Sequence, residues 1–372
     1  MPLVATGTGE DPVWPFLALR TGIGSSPRDD PAGSISGTSR VNSLVEHPTR
    51  SHGIERLIGR CRTGSSGGPN TRIKGVDRLR EKLPAYPGRK ILVLPLGVTV
   101  LSLLSYGLMI LLDILPRLIA EIHVLVLLEP LLPILGSLLV ACAAMRLISS
   151  MWTKREEMKN RLGALAYQHM IPRGISGVGL IATLLFHIFT SVRSLPPVPP
   201  VNEWTVHLSR SVLPFLGIPE EIGLLPRLLI SGLLLVLGVL TVRSAIITFG
   251  VDYMAVMYLY FPEESEVQNH EIYSVIRHPV YLAVMLLAMA GLALRLSVYS
   301  AIQFLMIYTL LRLHIRREEN ELVERFGESY LNYMDRVPAL HVRARDLGRY
   351  LKFLLVRMNT DRGHQDHDVG LS

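Results

Sequence analysis

Residues 91–112 read ILVLPLGVTVLSLLSYGLMILL, a run of 22 residues without a formal charge. At about 1.5 Å per residue such a helix is about 33 Å long, enough to cross the hydrocarbon core of a bilayer. Lipid offers no partner to a backbone N–H or C=O, so the run can cross only as a helix that pairs its own backbone. Three more runs follow. Residues 174–192 carry no formal charge, 122–145 are interrupted by Glu129, Pro130 and Pro133, and 228–250 contain only Arg243. One such run suits the core of a soluble domain; four in a chain of 372 residues do not. Charged residues make up 19% of the chain, against about 25% in soluble domains, and the deficit lies after residue 90. The two cysteines, Cys61 and Cys142, exclude a disulfide framework and a cysteine metal cluster, and Cys142 sits in an apolar run as a small packing residue. The net charge of +7 fits basic loops facing anionic lipid and gives no reason to invoke nucleic acid.

Working outward, residues 1–88 form a polar and basic region rich in Gly, Ser, Pro and Arg. It offers little apolar area to offset ordering entropy and is expected to be disordered. Residues 89–225 hold the first membrane helices, 226–345 a second membrane region with the candidate site, and 346–372 a basic polar tail. Within the second region, 280–311 carry a single charge, Arg295, between runs of 15 and 16 residues. As one helix this segment is about 48 Å long, too long for one crossing. The spacing predicts a helical hairpin with Gly291 and Arg295 near its tip. The fold class is therefore all-α: a polytopic transmembrane bundle of about six helices ending in a hairpin. The loop after the second run holds Arg146, Lys154, Arg155, Lys159, Arg161 and Arg173, whereas the loop after the first holds only Arg117. By the excess of positive residues on the inner side, the 146–173 loop, the 250–279 loop and both termini are expected to be cytoplasmic. The stretch Pro196-Pro197-Val198-Pro199-Pro200 falls on the far side.

Two clusters flank the hairpin. The first is Tyr273-Ser274-Val275-Ile276-Arg277-His278-Pro279-Val280-Tyr281. Proline disfavours the helical conformation at His278 and suits the first helical turn, so a helix starts at Pro279 or Val280. Its unpaired N–H groups and positive dipole end, with Arg277 beside them, suit an anionic group such as a carboxylate. The second cluster holds Glu318-Glu319, then Leu322, Phe326 and Tyr330 at helical spacing as one apolar stripe, with Glu321, Glu324, Arg325 and Glu328 on the solvated face. A hairpin returns Glu318 and Glu319 to the membrane face that carries Arg277 and His278. Each cluster alone also reads as an interfacial anchor or a charged helix face; the two in order around a hairpin read as one site. Gly174-Ile175-Ser176-Gly177-Val178-Gly179 opens a membrane helix and reads as a small-residue packing face rather than a phosphate loop.

The pattern Tyr-x-x-x-Arg-His-Pro-x-Tyr, a hairpin, then Glu-Glu-x-x-Leu-x-x-x-Phe-Gly-x-x-Tyr-x-x-Tyr-x-x-Arg-Val-Pro resembles the isoprenylcysteine carboxyl methyltransferases and the related phospholipid N-methyltransferases. It differs where the family usually carries Gly and this chain has His270. The resemblance implies S-adenosylmethionine as cofactor, held at the cytoplasmic face by Tyr273, Arg277, His278, Pro279, Tyr281, Glu318 and Glu319. Arg277, Glu318 and Glu319 are the catalytic candidates; no metal is implied. It further implies a multi-pass membrane enzyme of the endoplasmic reticulum, if eukaryotic, or of the plasma membrane, if prokaryotic. The acceptor would be a prenylated cysteine or a phospholipid entering from the bilayer. Two other classes compete: an NADPH-dependent membrane sterol or steroid reductase, with a similar His-Pro-x-Tyr hairpin, and a non-catalytic membrane scaffold.

Overall fold

A computed structural model describes residues 75–355, apart from 198, 256 and 263–268. The region 1–74, expected to be disordered, and residues 356–372 of the basic polar tail lie outside the described residues.

Six apolar helices dominate: α1 (Val93–Leu118), α2 (Leu132–Thr153), α3 (Ala166–Ile188), α4 (Glu220–Phe249), α5 (Pro279–Arg295) and α6 (Val298–Phe326). Five are long and apolar enough to cross a membrane, and α5 is a shorter apolar helix. No strand occurs among the described residues, only an isolated bridge between Ser211 and Ser297 at the hairpin tip. The hairpin is α5 and α6. Leu296, in the left-handed region at φ 45°, ends α5, and Ser297 caps α6 by accepting from the N–H of Ser300. At 29 residues α6 is about 44 Å long, so its last turns project beyond the hydrocarbon core with Glu318 and Glu319.

α3 packs against both α1 and α2, α4 against α5, and α6 against α2 and α5. The α2–α3 crossing is close because Gly177 has no side chain: a Cβ there would lie 2.5 Å from Ile148 Cγ1 and 3.0 Å from the Ala144 carbonyl. Gly174 and Gly179 likewise face Met151 of α2 and Val98 and Ser102 of α1, so the glycine run is a packing face. Leucines such as Leu104, Leu139 and Leu229 point outward, 68%, 69% and 65% exposed, as lipid-facing residues must.

Four expectations shift. The run over 122–145 is not one helix. A short helix, His123–Leu128, precedes Glu129, and α2 begins only at Leu132. Glu129 is the reason: fully buried, it accepts from Arg117 Nε at 2.8 Å and from the Asn202 N–H at 2.7 Å, and this cannot be done from mid-membrane. The third helix begins at Ala166, before the uncharged run that opens at 174. Its first turns pack on protein rather than lipid, with Tyr167 and Met170 fully buried beside Leu83 and Met257. The stripe Leu322–Phe326–Tyr330 does not lie on one helix. Gly327, at φ 54°, ends α6, and Tyr330 belongs to α7 (Glu328–Arg336), which folds back so that Tyr330 still meets Leu322 and Phe326. Glu321 is also not on a solvated face; it accepts from Arg325 at 3.0 Å and from Arg155 at 2.5 Å.

Residues 75–88, at the end of the polar region, join the bundle. A short helix, Val76–Glu81, leads to Leu83, 1% exposed, and Arg78 pairs with Asp252 at 3.3 Å. A last helix, α8 (Leu347–Leu355), packs its Tyr350 and Leu354 on α4 and on the segment that leads into α5.

Candidate active site

The site lies where the start of α5 meets the projecting end of α6. Pro279 is the first residue of α5, and His278 caps it in a non-helical conformation. The backbone before the helix is pinned: the N–H of Arg277 donates to the Pro338 carbonyl and that of His278 to the Ala339 carbonyl, at 3.0 and 3.2 Å. The Arg-Val-Pro that ends α7 therefore forms one wall, and its place in the sequence pattern has a mechanical reason. The loop at His270, where the sequence pattern differs from the one it resembles, takes its unusual backbone one residue later: Glu271 sits at φ 49° and accepts from Thr248 at 2.5 Å.

The two glutamates take separate partners, because successive helix residues point about 100° apart. Glu319 Oε1 accepts from Arg277 Nη2 at 2.7 Å, from Arg277 Nε at 3.0 Å, and lies 3.1 Å from His278 Nε2. Glu318 accepts from the Tyr281 hydroxyl at 2.7 Å and from the Tyr258 hydroxyl at 2.8 Å. His278 lies between the carboxylates, its Nδ1 3.8 Å from Glu318 Oε2. Arg277 is 9% and Glu319 13% exposed at the side chain. The remaining nitrogen of Arg277, Nη1, donates to the carbonyls of Met334 (2.8 Å) and Val337. Arg277 thus holds Glu319 and the end of α7 in place. Burial and the Glu318 carboxylate push the Tyr258 phenol well above its ordinary pKa, so it remains a donor.

Of the seven residues the sequence assigns, Arg277, His278, Tyr281, Glu318 and Glu319 converge through side chains, and Pro279 sets the helix start. Tyr273 differs. Its ring stacks on Phe249 at 4.7 Å, and it meets this wall through its carbonyl, which accepts from Tyr333 at 2.7 Å. Three residues were not anticipated. Tyr258 comes from the segment before the hairpin, and no spacing links it to Glu318. His314 is four residues before Glu318, a spacing that puts both on one helix face. Its ring meets Tyr281 at 5.6 Å and Trp152 at 4.9 Å, edge to face. His314 Nδ1 and Trp152 Nε1 are buried without a hydrogen-bond partner, the kind of orphaned polar atom that ligand sites retain.

With one guanidinium against two carboxylates, and with Tyr281, His314 and Trp152 presenting aromatic rings, the site has the chemistry to receive a cation. Residues 226–329 match the family model of the phospholipid methyltransferases. No curated protein and no solved structure matches the chain. The phospholipid methyltransferase match covers α4 from Pro226 onward, the hairpin and both glutamates, and takes in Tyr258 and His314. Trp152 lies outside it. With five helices long and apolar enough to cross a membrane, the chain is an integral membrane protein that carries a region similar to the phospholipid methyltransferases. Among the described residues no group of His, Cys, Asp and Glu side chains is arranged to hold a metal ion.

Proposed function

We propose that the protein is an S-adenosylmethionine-dependent methyltransferase acting on a lipid-borne acceptor presented from the bilayer. The observation that carries this reading is the convergence of Glu318 and Glu319 with Arg277 and His278 at one membrane face, within the region matching the phospholipid methyltransferases. The group supplies, when bound, a methyl carried on a positively charged sulfur. The residues present fit it. Glu318 and Glu319 would hold its ammonium or ribose hydroxyls, the rings of Tyr281 and His278 would face positive charge, and the first turn of α5 would face its carboxylate. Arg277 serves chiefly to orient Glu319, since its donors are already directed at Glu319 and the end of α7.

Two acceptors have support. The sequence pattern favours the carboxylate of a prenylated cysteine, which already has a nucleophilic oxygen and releases no proton. The family match and the free His314 Nδ1 favour the amino headgroup of a phospholipid. A protonated amine must give up a proton, and a neutral imidazole with an unpaired nitrogen can accept it. Incubating the protein with labelled S-adenosylmethionine, an ethanolamine phospholipid or a prenylcysteine analogue decides between them. Label in neither product, together with no S-adenosylmethionine binding by calorimetry, would refute the proposal.

A further inference from the structure

A second charged cluster lies at the other end of α5, about 25 Å along the helix from Arg277. Gly238 of α4 packs against the Ala283 carbonyl and the Leu287 side chain of α5. The two helices are antiparallel, so continuing this register towards the hairpin tip brings the start of α4, with Arg227, level with Arg295, the last residue of α5. A third arginine arrives from the short 3-10 turn Val192–Ser194: Arg193 Nη2 lies 3.3 Å from Glu220 Oε2. Arg295 is within electrostatic reach of Arg193, Arg227 and Glu220. Three guanidinium charges against one carboxylate leave a net charge of +2. All four residues are half-buried, and Arg227 Nε is buried with no hydrogen-bond partner.

Isolated arginines at a membrane boundary spread their charges into headgroup water. Here three come together, share one acid and leave a buried donor unmatched. That arrangement costs repulsion and desolvation unless an anion completes it. The surroundings indicate which kind of anion. On the same first turns of α4, Ile222, Leu225 and Leu229 point outward, 69%, 63% and 65% exposed, and Phe215 and Leu216 beside them are 75% and 69% exposed. A ligand here would carry a negative oxygen group at the arginines and hydrocarbon along α4. A guanidinium pairs two N–H groups with two phosphate oxygens.

We propose that Arg193, Arg227 and Arg295 form a binding site for the phosphate of a membrane phospholipid whose acyl chains lie along the outer face of α4. This site is separate from the methyltransferase site and does not depend on its assignment.

The test uses the full chain purified in neutral detergent, with thermal unfolding followed as dioleoyl phosphatidylglycerol, dioleoylglycerol or sodium phosphate is titrated in. Phosphatidylglycerol should raise the midpoint, dioleoylglycerol should not, and sodium phosphate should do so only weakly. In Arg227→Gln/Arg295→Gln the phosphatidylglycerol concentration needed should rise tenfold or more, since two charged hydrogen-bond donors are lost. Arg210→Gln, exposed at the same end, should behave as the parent. Should the double variant fold poorly, the single Arg227→Gln and Arg295→Gln variants carry the same expectation at a smaller factor. An unchanged lipid response in the variants overturns the site. Equal stabilisation by sodium phosphate overturns the lipid assignment.

Discussion

Arg277 and Glu319 form the pair on which the candidate site turns. Arg277→Ala leaves a nearly buried carboxylate with only His278 beside it and takes the donor from two carbonyls, so it should lower stability as well as cofactor affinity. Unpaired buried partners of this kind cost about 1–3 kcal/mol, and the unfolding midpoint of the variant should fall measurably. Glu319→Gln keeps the shape and most of the contacts. It should leave the midpoint near the parent's while weakening S-adenosylmethionine binding roughly 10- to 150-fold, the equivalent of about 1.5–3 kcal/mol. Calorimetry and thermal unfolding on the same preparations separate the two effects. His314→Gln tests the acceptor: transfer to an amine should drop by about two orders of magnitude or more, whereas transfer to a carboxylate should hardly change. At this scale the sequence was largely legible. Arg277, His278, Glu318 and Glu319 stood out because charges flanking an uncharged hairpin are conspicuous. Tyr258 was hidden because its link to Glu318 is purely tertiary. His314 was readable in principle from its spacing, but a lone histidine in an apolar helix gives a weak signal.

Among the elements, the hairpin was readable because a single arginine divides a segment too long for one crossing; the turn itself falls at Leu296 and Ser297, while Gly291 lies inside α5 against Ile188. The second span was misplaced because hydropathy cannot see that Glu129 has a buried arginine twelve residues earlier. The early start of α3 was likewise invisible, since its first turns pack on Leu83 and Met257 rather than on lipid. The α2–α3 crossing offers a direct check on packing. Gly177→Val adds a branched side chain where Ile148 and the Ala144 backbone already stand, and should cost about 1–3 kcal/mol or more by overpacking. Reduced yield and a lower midpoint are expected, while Gly107→Val, on a face with nothing nearby, should be tolerated. Normal stability of Gly177→Val would contradict the crossing.

Over the whole molecule, six apolar helices return the chain to the face from which it started, so the α4–α5 connection and α7 share a side. Single cysteines at the exposed positions His270 and Ser329, with Cys61 and Cys142 replaced, should react with an impermeant reagent from the same side of sealed vesicles. Truncation probes where the folded part begins. A chain starting at Gly75 keeps Leu83 in the core beside Tyr167 and Tyr258, whereas one starting at Gly88 loses it. The second should be the less stable by an amount comparable to a large core deletion, about 2–5 kcal/mol. Composition alone could not show this, because a single buried leucine in a polar stretch leaves no periodic trace.

The central claim is that Glu318 and Glu319 serve methyl transfer from S-adenosylmethionine to a lipid. Its most direct test is the fate of a tritiated methyl group. Purified protein in nanodiscs of mixed phospholipid, supplied with methyl-labelled S-adenosylmethionine and a prenylcysteine analogue, should move label into the organic phase. Glu318→Gln and Glu319→Gln should each reduce that label at least tenfold without loss of folded protein. Label that stays in the aqueous phase with the parent protein, accompanied by NADPH oxidation when a sterol is supplied instead, would contradict the account and establish a reductase in its place.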